Sequence, residues 1–472
     1  MRIESKHITI IKYLFLFILS GFIVIVYTKI LQFKIINPDA GYYLWIVNKI
    51  SEGKIPGIDI RTGYMPLSFY LLTIVKLFAK FPTYSEYLYI LLFIQLLNAL
   101  LLYNIAKYYT GDKFILALSF LTYLLISFHS DGSFFVLEPF VNFFGLISLL
   151  LYLRVRNRSS YWMLATGIMA AFAFFCKQYG MVYFFVAPIL LLIDSKNISS
   201  TLKRIILYMV GYCMPFVVFI LYLKIENGGL KDLLTLYSGS SYGQRSIHAY
   251  LSGFYTLIKI YGAFLLFSLW IIIRHGVRNH ILVYLYLILG FSLQFFFYKF
   301  PHYYLLLIPH LILAFVITYE SILQESKIFT IFIFSLSFTL IINIYADIKT
   351  AISISESHKS LREDFVQLTK NAVQININIG QKDRVFLSDF DLAPYYFLCN
   401  LNPPLEKKYG VVSSDIISTD ECIENVEQSD FVLIWKDSLS RFYNELNSTN
   451  FRWAEIRISN DLFLLKKDVL NK

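Results

Sequence analysis

The sequence predicts an α-helical polytopic membrane protein with about eleven transmembrane helices and a small C-terminal α/β domain. Hydrophobic residues make up 57% of the 472-residue chain, and its mean hydropathy is +0.59. Charged residues account for 16%, against about 25% in soluble domains. The apolar residues gather in long runs up to residue 345, after which the composition becomes mixed and polar. This pattern excludes an ordinary soluble enzyme.

The apolar runs mark the predicted spans. The first, Ile10 to Leu31, can cross a hydrocarbon core of about 30 Å and lacks a small-residue cleavage site, so we expect an uncleaved first helix. Leu67 to Phe81 contains Lys76 and Lys80, which favours a helix in the membrane interface. The predicted spans are 10–32, 86–106, 114–128, 137–153, 161–176, 179–193, 205–223, 251–273, 281–298, 302–319 and 328–345.

The positions of Lys and Arg predict the orientation. With the N-terminus in the cytoplasm, the loop Arg154-Val155-Arg156-Asn157-Arg158 also lies there, as the positive-inside rule requires. The first loop, 33–85, then lies outside, and its own basic residues suggest a functional positive charge. The net charge of +10 suits a lipid-phosphate substrate, and we expect no nucleic acid partner. Richness in Ile, Lys, Asn, Phe and Tyr suggests a low-GC bacterium. With the apolar spans, this predicts a multi-pass protein of the bacterial inner or plasma membrane.

Residues 346–472 are predicted to fold as an extracytoplasmic α/β domain that follows a transmembrane domain of residues 1–345. Two strand-like runs, Arg384 to Leu387 and Phe431 to Trp435, alternate with helix-like segments, and Asp461 to Leu465 closes the pattern. Cys399 and Cys422 lie in this part, and the sequence leaves open whether they pair.

Asp39 is the leading candidate for chemistry because it follows the first span directly. A carboxylate near hydrocarbon becomes a stronger base, which suits removal of a proton from a hydroxyl. The alternative is structural, since Pro38-Asp39 is also typical of a helix start.

Glu138 and Lys177 are the next candidates, because charges near a bilayer tend to mark substrate pathways. Glu138 opens an apolar run just before Pro139, where an acid also complements the helix dipole. Lys177 lies in a tight hairpin between two spans. Its ammonium could bind a phosphate as a point charge, or could reach out to the membrane interface.

The remaining candidates are expected to contact substrate from the outer loops. Arg61 could hold a phosphate by a bidentate contact, or could be an ordinary loop charge. His302 is followed by two tyrosines and suits a phosphate or sugar contact, or the start of a helix in an aromatic belt. Asp131 lies in a sequence that is typical of a turn. The full set of further expected substrate contacts is Tyr42, Asp131, Arg245 and Tyr303.

Across residues 1–345 the chain resembles the C-type membrane glycosyltransferases, in particular the protein O-mannosyltransferases and bacterial aminoarabinose transferases. The order and spacing of several short motifs match that family. They are Pro38-Asp39-Ala40-Gly41-Tyr42-Tyr43, Gly53-Lys54-Ile55-Pro56, Asp59-Ile60-Arg61-Thr62-Gly63-Tyr64-Met65-Pro66-Leu67, Glu138, Phe175-Cys176-Lys177-Gln178 and His302-Tyr303-Tyr304-Leu305-Leu306-Leu307-Ile308-Pro309.

The resemblance implies transfer of a sugar from a polyprenyl-phosphate carrier on the outer side of the membrane. It makes Asp39 the base and Glu138 a second acid, and it assigns the carrier phosphate to Lys177, Arg61 and His302. Two positions depart from the pattern: Ala40 stands where many members have a second acid, and Met65 where some have Lys. No cofactor and no metal ligands are assigned, and a divalent metal is left open.

The predicted function is therefore a glycosyltransferase that moves a hexose or pentose to a hydroxyl of a lipid, glycan or protein, with inversion. The alternatives are a polymerase or ligase of surface polysaccharide, and a transporter or flippase. A transporter would be expected to show repeated halves and charges within its spans, whereas here the spans are nearly free of charge. The expected partners are the carrier-linked donor, the acceptor and membrane lipids.

Overall fold

The structure is a computed structural model, and it describes part of the chain. The described residues are 2–32, 38–78, 84–127, 135–156, 161–195, 197–238, 304–322, 358–388, 390–404, 419–439 and 452–468.

The chain divides into two compact units, each made of three segments that are not consecutive in the sequence. The helical unit contains Met1–Gln32, Leu88–Phe219 and Arg245–Glu356. The mixed unit contains Phe33–Tyr87, Ile220–Gln244 and Ser357–Lys472. The first loop and the C-terminal part therefore belong to one unit, a grouping that the sequence did not predict.

Long apolar helices coincide with the predicted spans wherever the structure describes them. Three of the described helices are long and apolar enough to cross a membrane, namely α5, α7 and α10. The count of eleven spans stays a prediction, because the runs 251–273, 281–298 and 328–345 lie outside the described residues. The helices are α1 (Arg2–Gln32), α5 (Tyr84–Ala106), α6 (Lys113–Ser127), α7 (Glu138–Val155), α8 (Trp162–Cys176), α9 (Val182–Ile193), α10 (Ile198–Ile225) and α12 (Tyr304–Ile322).

Within the helical unit, α7 packs along α8, and α6 packs against both α1 and α12. A glycine lets α8 approach α10 closely: a Cβ built on Gly167 would lie 2.1 Å from the carbonyl oxygen of Tyr208. Small residues at such crossings are typical of helices that associate in lipid. The tight hairpin predicted around Lys177 is also present, because only Lys177 and a 3₁₀ turn (Gln178–Met181) separate α8 from α9.

The mixed unit begins with short helices from the first loop. The expected helix between Leu67 and Phe81 forms as two pieces. Helix α2 (Pro38–Ser51) packs on α14 (Pro394–Cys399). This contact requires Gly41, since a Cβ there would lie 2.6 Å from the Cα of Pro394. The helices are α2 (Pro38–Ser51), α3 (Leu67–Thr73), α4 (Val75–Phe78), α11 (Leu230–Ser238), α13 (His358–Asn378), α14 (Pro394–Cys399) and α15 (Thr419–Glu427).

A four-stranded sheet in the order β1-β2-β4-β3 completes the mixed unit. The strands are β1 (Val385–Leu387), β2 (Phe431–Trp435), β3 (Arg452–Arg457) and β4 (Leu462–Asp468). β1 and β2 are parallel, as expected for strands joined by helices, whereas β4 runs antiparallel to both β2 and β3. One side of the sheet is packed by buried Cys422 and Val426 from α15.

The two strand-like runs, Arg384 to Leu387 and Phe431 to Trp435, thus form β1 and β2. The closing run Asp461 to Leu465 overlaps β4, and β3 was not predicted. The separate C-terminal domain stays a prediction, since the compact unit also includes residues of the first loop. Cys399 and Cys422 are free thiols in the structure.

Candidate active site

Glu138 and Lys177 form a buried ion pair in the helical unit. Lys177 Nζ lies 2.6 Å from Glu138 Oε1, and the two side chains are 1% and 0% exposed. Glu138 is the first residue of α7, and Lys177 is an extended residue directly after α8. The ammonium also lies 5.5 Å from the ring centroid of Tyr179. A buried charge needs a partner of this kind, so each residue explains the presence of the other.

This geometry bears on the two interpretations of Lys177. A lysine that reached the membrane interface would expose its ammonium, whereas the Lys177 side chain is enclosed by protein. The burial does not support the interfacial alternative, and the phosphate role of Lys177 stays a prediction. Glu138 does lie in the first turn of its helix, as the dipole argument requires, and it serves the ion pair as well.

Buried polar side chains extend from this ion pair through the helical unit. Asn142 lies one helical turn after Glu138, donates from Nδ2 to the carbonyl of Leu305 at 2.7 Å, and accepts from Tyr183 Oη at 3.2 Å. The ring of Tyr183 lies 5.5 Å from that of buried His310. The group therefore ties α7 to the first turn of α12, which directly follows His302 and Tyr303.

Sequence reasoning missed Asn142, Tyr183 and His310. The available signal was their position inside predicted spans, because a polar side chain in an apolar helix must find a partner within the protein. Asn98 shows the same pattern, and donates from Nδ2 to the carbonyl of Pro139 at 2.8 Å.

Asp39 lies in the mixed unit, in the first turn of α2, and is partly exposed. The helix start predicted at Pro38-Asp39 is confirmed. The role of Asp39 as a base stays a prediction.

Tyr42 holds the first loop together. Its hydroxyl donates to the carbonyl of Thr62 at 2.6 Å, and its ring stacks on Trp45 with centroids 6.4 Å apart. The bond to Thr62 places the residue after Arg61 against α2, and Arg61 itself is partly exposed. These contacts give Tyr42 a structural use, and its contact with substrate stays a prediction.

The predicted site residues are thus distributed over both units. Glu138 and Lys177 belong to the helical unit, whereas Asp39, Tyr42 and Arg61 belong to the mixed unit. The other candidates lie outside the described residues, namely Asp131, Arg245, His302 and Tyr303.

The sequence left a divalent metal open. The described part of the chain contains no group of three or more His, Cys, Asp or Glu side chains that could hold an ion. Ala40 also leaves Asp39 without an adjacent acid. Whether a divalent metal takes part stays open, as the sequence left it.

Comparison with known proteins gives a match in structure alone. No protein-family model matches the chain, and no curated protein matches it in sequence. ArnT from Cupriavidus metallidurans bound to undecaprenyl phosphate superposes with a TM-score of 0.63 at 12% identity, covering 97% of this chain and 98% of that one. Its apo form gives 0.61 at 12% identity, with 96% and 97% covered.

An oligosaccharyltransferase from Archaeoglobus fulgidus, in complex with zinc and sulfate, gives a TM-score of 0.50 at 12% identity. That match covers 95% of this chain and 74% of the archaeal one. The sequence resemblance to the aminoarabinose transferases is confirmed at the level of structure. The chain has the fold of ArnT, and it also matches part of the archaeal oligosaccharyltransferase.

Proposed function

We propose that the protein is a membrane glycosyltransferase that moves a sugar from a polyprenyl-phosphate donor to an acceptor hydroxyl. The observation that carries this proposal is the fold match, over nearly the whole of both chains, to ArnT bound to undecaprenyl phosphate. The long apolar helices supply an apolar environment that suits the lipid chain of such a donor. The distribution of Lys and Arg supports a reaction on the outer face of a bacterial plasma membrane, with a cytoplasmic N-terminus and an outer C-terminal part.

The proposed chemistry is a displacement at the anomeric carbon. Asp39 accepts the proton of the acceptor hydroxyl while that oxygen forms a bond to the carbon. The bond from the carbon to the phosphate oxygen breaks, and polyprenyl phosphate leaves with the electron pair. Attack opposite the leaving group inverts the configuration. General base assistance of this kind contributes about 10²–10⁴-fold to a rate.

Lys177 is assigned to the phosphate of the donor, together with Arg61 and His302. An ammonium has three donor hydrogens, and the bond to Glu138 uses one of them. A fixed positive charge beside the phosphate oxygens stabilises the leaving group. Glu138 then acts on the reaction by holding Lys177 in place. The further substrate contacts proposed are Tyr42, Asp131, Arg245 and Tyr303.

The test is transfer from a panel of radiolabelled polyprenyl-phosphate sugars by the purified full-length protein. We expect transfer from at least one donor, and an Asp39→Asn variant should lose at least about 100-fold in rate. Asp391→Asn, which changes an exposed aspartate, is the matched control and should keep the wild-type rate. Normal transfer by a folded Asp39→Asn protein would refute its assignment as the base. No transfer from any donor by folded wild type would refute the function and favour the polymerase or transporter alternatives.

A further inference from the structure

A polar cavity of about 630 Å³ lies within the mixed unit. Its walls come from three segments: the end of α2, the end of α13 with the turn after it, and the residues that follow α14. Cavities of about 300–1,000 Å³ are the usual size for small-molecule sites in proteins. The cavity can therefore hold a ligand the size of one or two sugar residues.

Carboxamide side chains dominate the polar part of the wall, namely those of Asn376, Gln381, Asn400 and Asn402. A carboxamide offers both donor hydrogens and an acceptor oxygen. A sugar hydroxyl can likewise both donate and accept a hydrogen bond. Asn376 and Gln381 are exposed, so their side chains are accessible to a ligand that enters.

The charges in the wall argue against an anionic ligand. Lys49 Nζ is held by Asn402 Oδ1 at 2.9 Å and by Glu52 Oε2 at 3.2 Å. Asp383 adds a second carboxylate, which accepts from the backbone N–H of Gly380 at 2.6 Å. Two carboxylates against one ammonium leave the cavity with a net negative charge, which would repel phosphate.

The wall also has an apolar part and is held in place from behind. Ile379, Cys399 and Leu401 offer carbon and sulfur surface of the kind that packs against the C–H face of a sugar ring. Trp45 Nε1 donates to the carbonyl of Leu401 at 2.9 Å, and Asn400 Nδ2 donates to Glu52 Oε1 at 2.7 Å. A site fixed by such bonds loses less entropy when it binds a ligand.

We propose that this cavity binds a neutral polyhydroxylated molecule, and that during transfer it holds a sugar residue of the acceptor. The second part rests on the proposed function. Lys49 in the wall and Asp39 lie ten residues apart on α2, which is about 15 Å along a helix. The cavity is therefore too far from Asp39 to hold the reacting hydroxyl, and it acts as a distal subsite for an extended acceptor.

The experiment measures the binding of methyl hexopyranosides and matching disaccharides to the full-length protein by saturation-transfer NMR. The protein is kept in a detergent without a sugar headgroup, so that the detergent does not compete. We expect at least one sugar to bind to the wild type. Asn376→Ala combined with Gln381→Ala should weaken its binding at least about tenfold, since two hydrogen bonds are lost.

Asn378→Ala is the matched control. Asn378 lies on the same helix, and its Nδ2 donates to the carbonyl of Gln374 at 2.7 Å outside the cavity wall. We expect unchanged binding by this variant. Failure of every sugar to bind, or equal binding by the double variant and wild type, would overturn the site. Competition by inorganic phosphate would overturn its preference for a neutral ligand.

Transfer measured in parallel separates this proposal from the proposed function. Transfer without sugar binding would refute the cavity and leave the function intact. Sugar binding without transfer from any donor would refute the function and leave the binding site intact. With both present, the double variant should lose transfer to an extended acceptor and keep it to a single-sugar acceptor. Equal losses with both acceptors would overturn the distal role.

Discussion

Lys177 in the helical unit and Lys49 in the mixed unit are both buried, at 0% and 4% exposure, but their charges are balanced differently. Lys177 faces a carboxylate that is as buried as itself, so the pair is closed off from water. Lys49 faces an amide oxygen and the carboxylate of Glu52, whose side chain is 41% exposed. Burial of the lysine alone therefore does not determine its contribution to the free energy of unfolding. The partner's access to water decides how much of that free energy is lost when the pair is broken.

The largest effect is expected from Lys177→Met, which leaves the Glu138 carboxylate buried without this cation. Loss of one partner from a buried pair costs about 3–5 kcal/mol in the free energy of unfolding. Denaturant unfolding of the purified protein in detergent measures it. Lys113→Met, at an exposed lysine that begins α6, is the control and should change stability by less than about 0.5 kcal/mol. Similar losses in the two variants would contradict the comparison.

Glu138→Gln replaces the carboxylate that faces Lys177 by a carboxamide, which resembles the contact of Lys49 with Asn402. The carboxamide oxygen can still accept from Lys177, as Asn402 does from Lys49. We expect a loss of about 1–3 kcal/mol, smaller than that of Lys177→Met. The double variant should cost less than the sum of the two, because the residues are in contact. Strict additivity in this double-mutant cycle would show that the pair does not act as a unit.

Gly41→Ala disturbs the surroundings of Lys49 without touching it. The added Cβ would lie 2.6 Å from the backbone of Pro394, so α2 and α14 must separate. Overpacking of this kind costs about 1–3 kcal/mol in the free energy of unfolding. Gly21→Ala is the control, since a Cβ built there meets nothing within 4 Å, and it should be neutral or stabilising. An unchanged midpoint for Gly41→Ala would mean that the two helices can move apart freely.

Lys49→Met should cost about 1–2 kcal/mol, because Glu52 stays hydrated when its partner is lost. Glu52→Gln should cost less than about 1 kcal/mol, as for other exposed pairs. Unfolding midpoints of the two variants measured together give the order. A loss as large as that of Lys177→Met would show that water does not reach this pair.

The smallest effect concerns the alkylation rate of Cys399 and not the stability of the protein. This thiol lies in the wall of the cavity beside Lys49. Burial raises the pKa of the Cys399 thiol to about 12. A raised pKa lowers the thiolate fraction near pH 8, so alkylation should be at least about tenfold slower than in the unfolded chain. The rate should keep rising with pH well beyond pH 9. Cys399→Ser identifies its share of the labelling, and rapid labelling of the native protein would show that the cavity is open to water at this wall.

The sequence predicted the helices well because each apolar run signals its own position. The run from residue 179 to 193 and the helix Val182–Ile193 agree closely, as do the run from 86 to 106 and the helix Tyr84–Ala106. β2 was predicted for the same reason, since its residues form one continuous apolar run. β3 was missed because it lies at the edge of the sheet, where Arg452, Glu455 and Arg457 interrupt the apolar pattern.

Sequence reasoning singled out the charged residues of the buried group in the helical unit and missed its neutral ones. Glu138 and Lys177 stood out as charges beside apolar runs, but their pairing joins residues 39 positions apart and depends on how α7 packs against α8. Asn142 gave a weak signal, since one amide in an apolar helix is common. The grouping of the first loop with the C-terminal part could not be predicted from local patterns, because the contacts that produce it are far apart in the sequence.

The bonds from α2 to the residues after α14 have a consequence for biogenesis. Trp45 bonds to Leu401, and Lys49 to Asn402, across separations of 356 and 353 residues. At typical rates of 5–20 residues per second, the ribosome needs roughly 20–70 s to synthesise the intervening chain. Helix α2 is therefore synthesised well before Leu401, and until then Trp45 lacks this partner. A chain that ends before residue 400 lacks the partners of both bonds, so the end of α2 cannot reach its final hydrogen bonding until nearly the whole chain has been made.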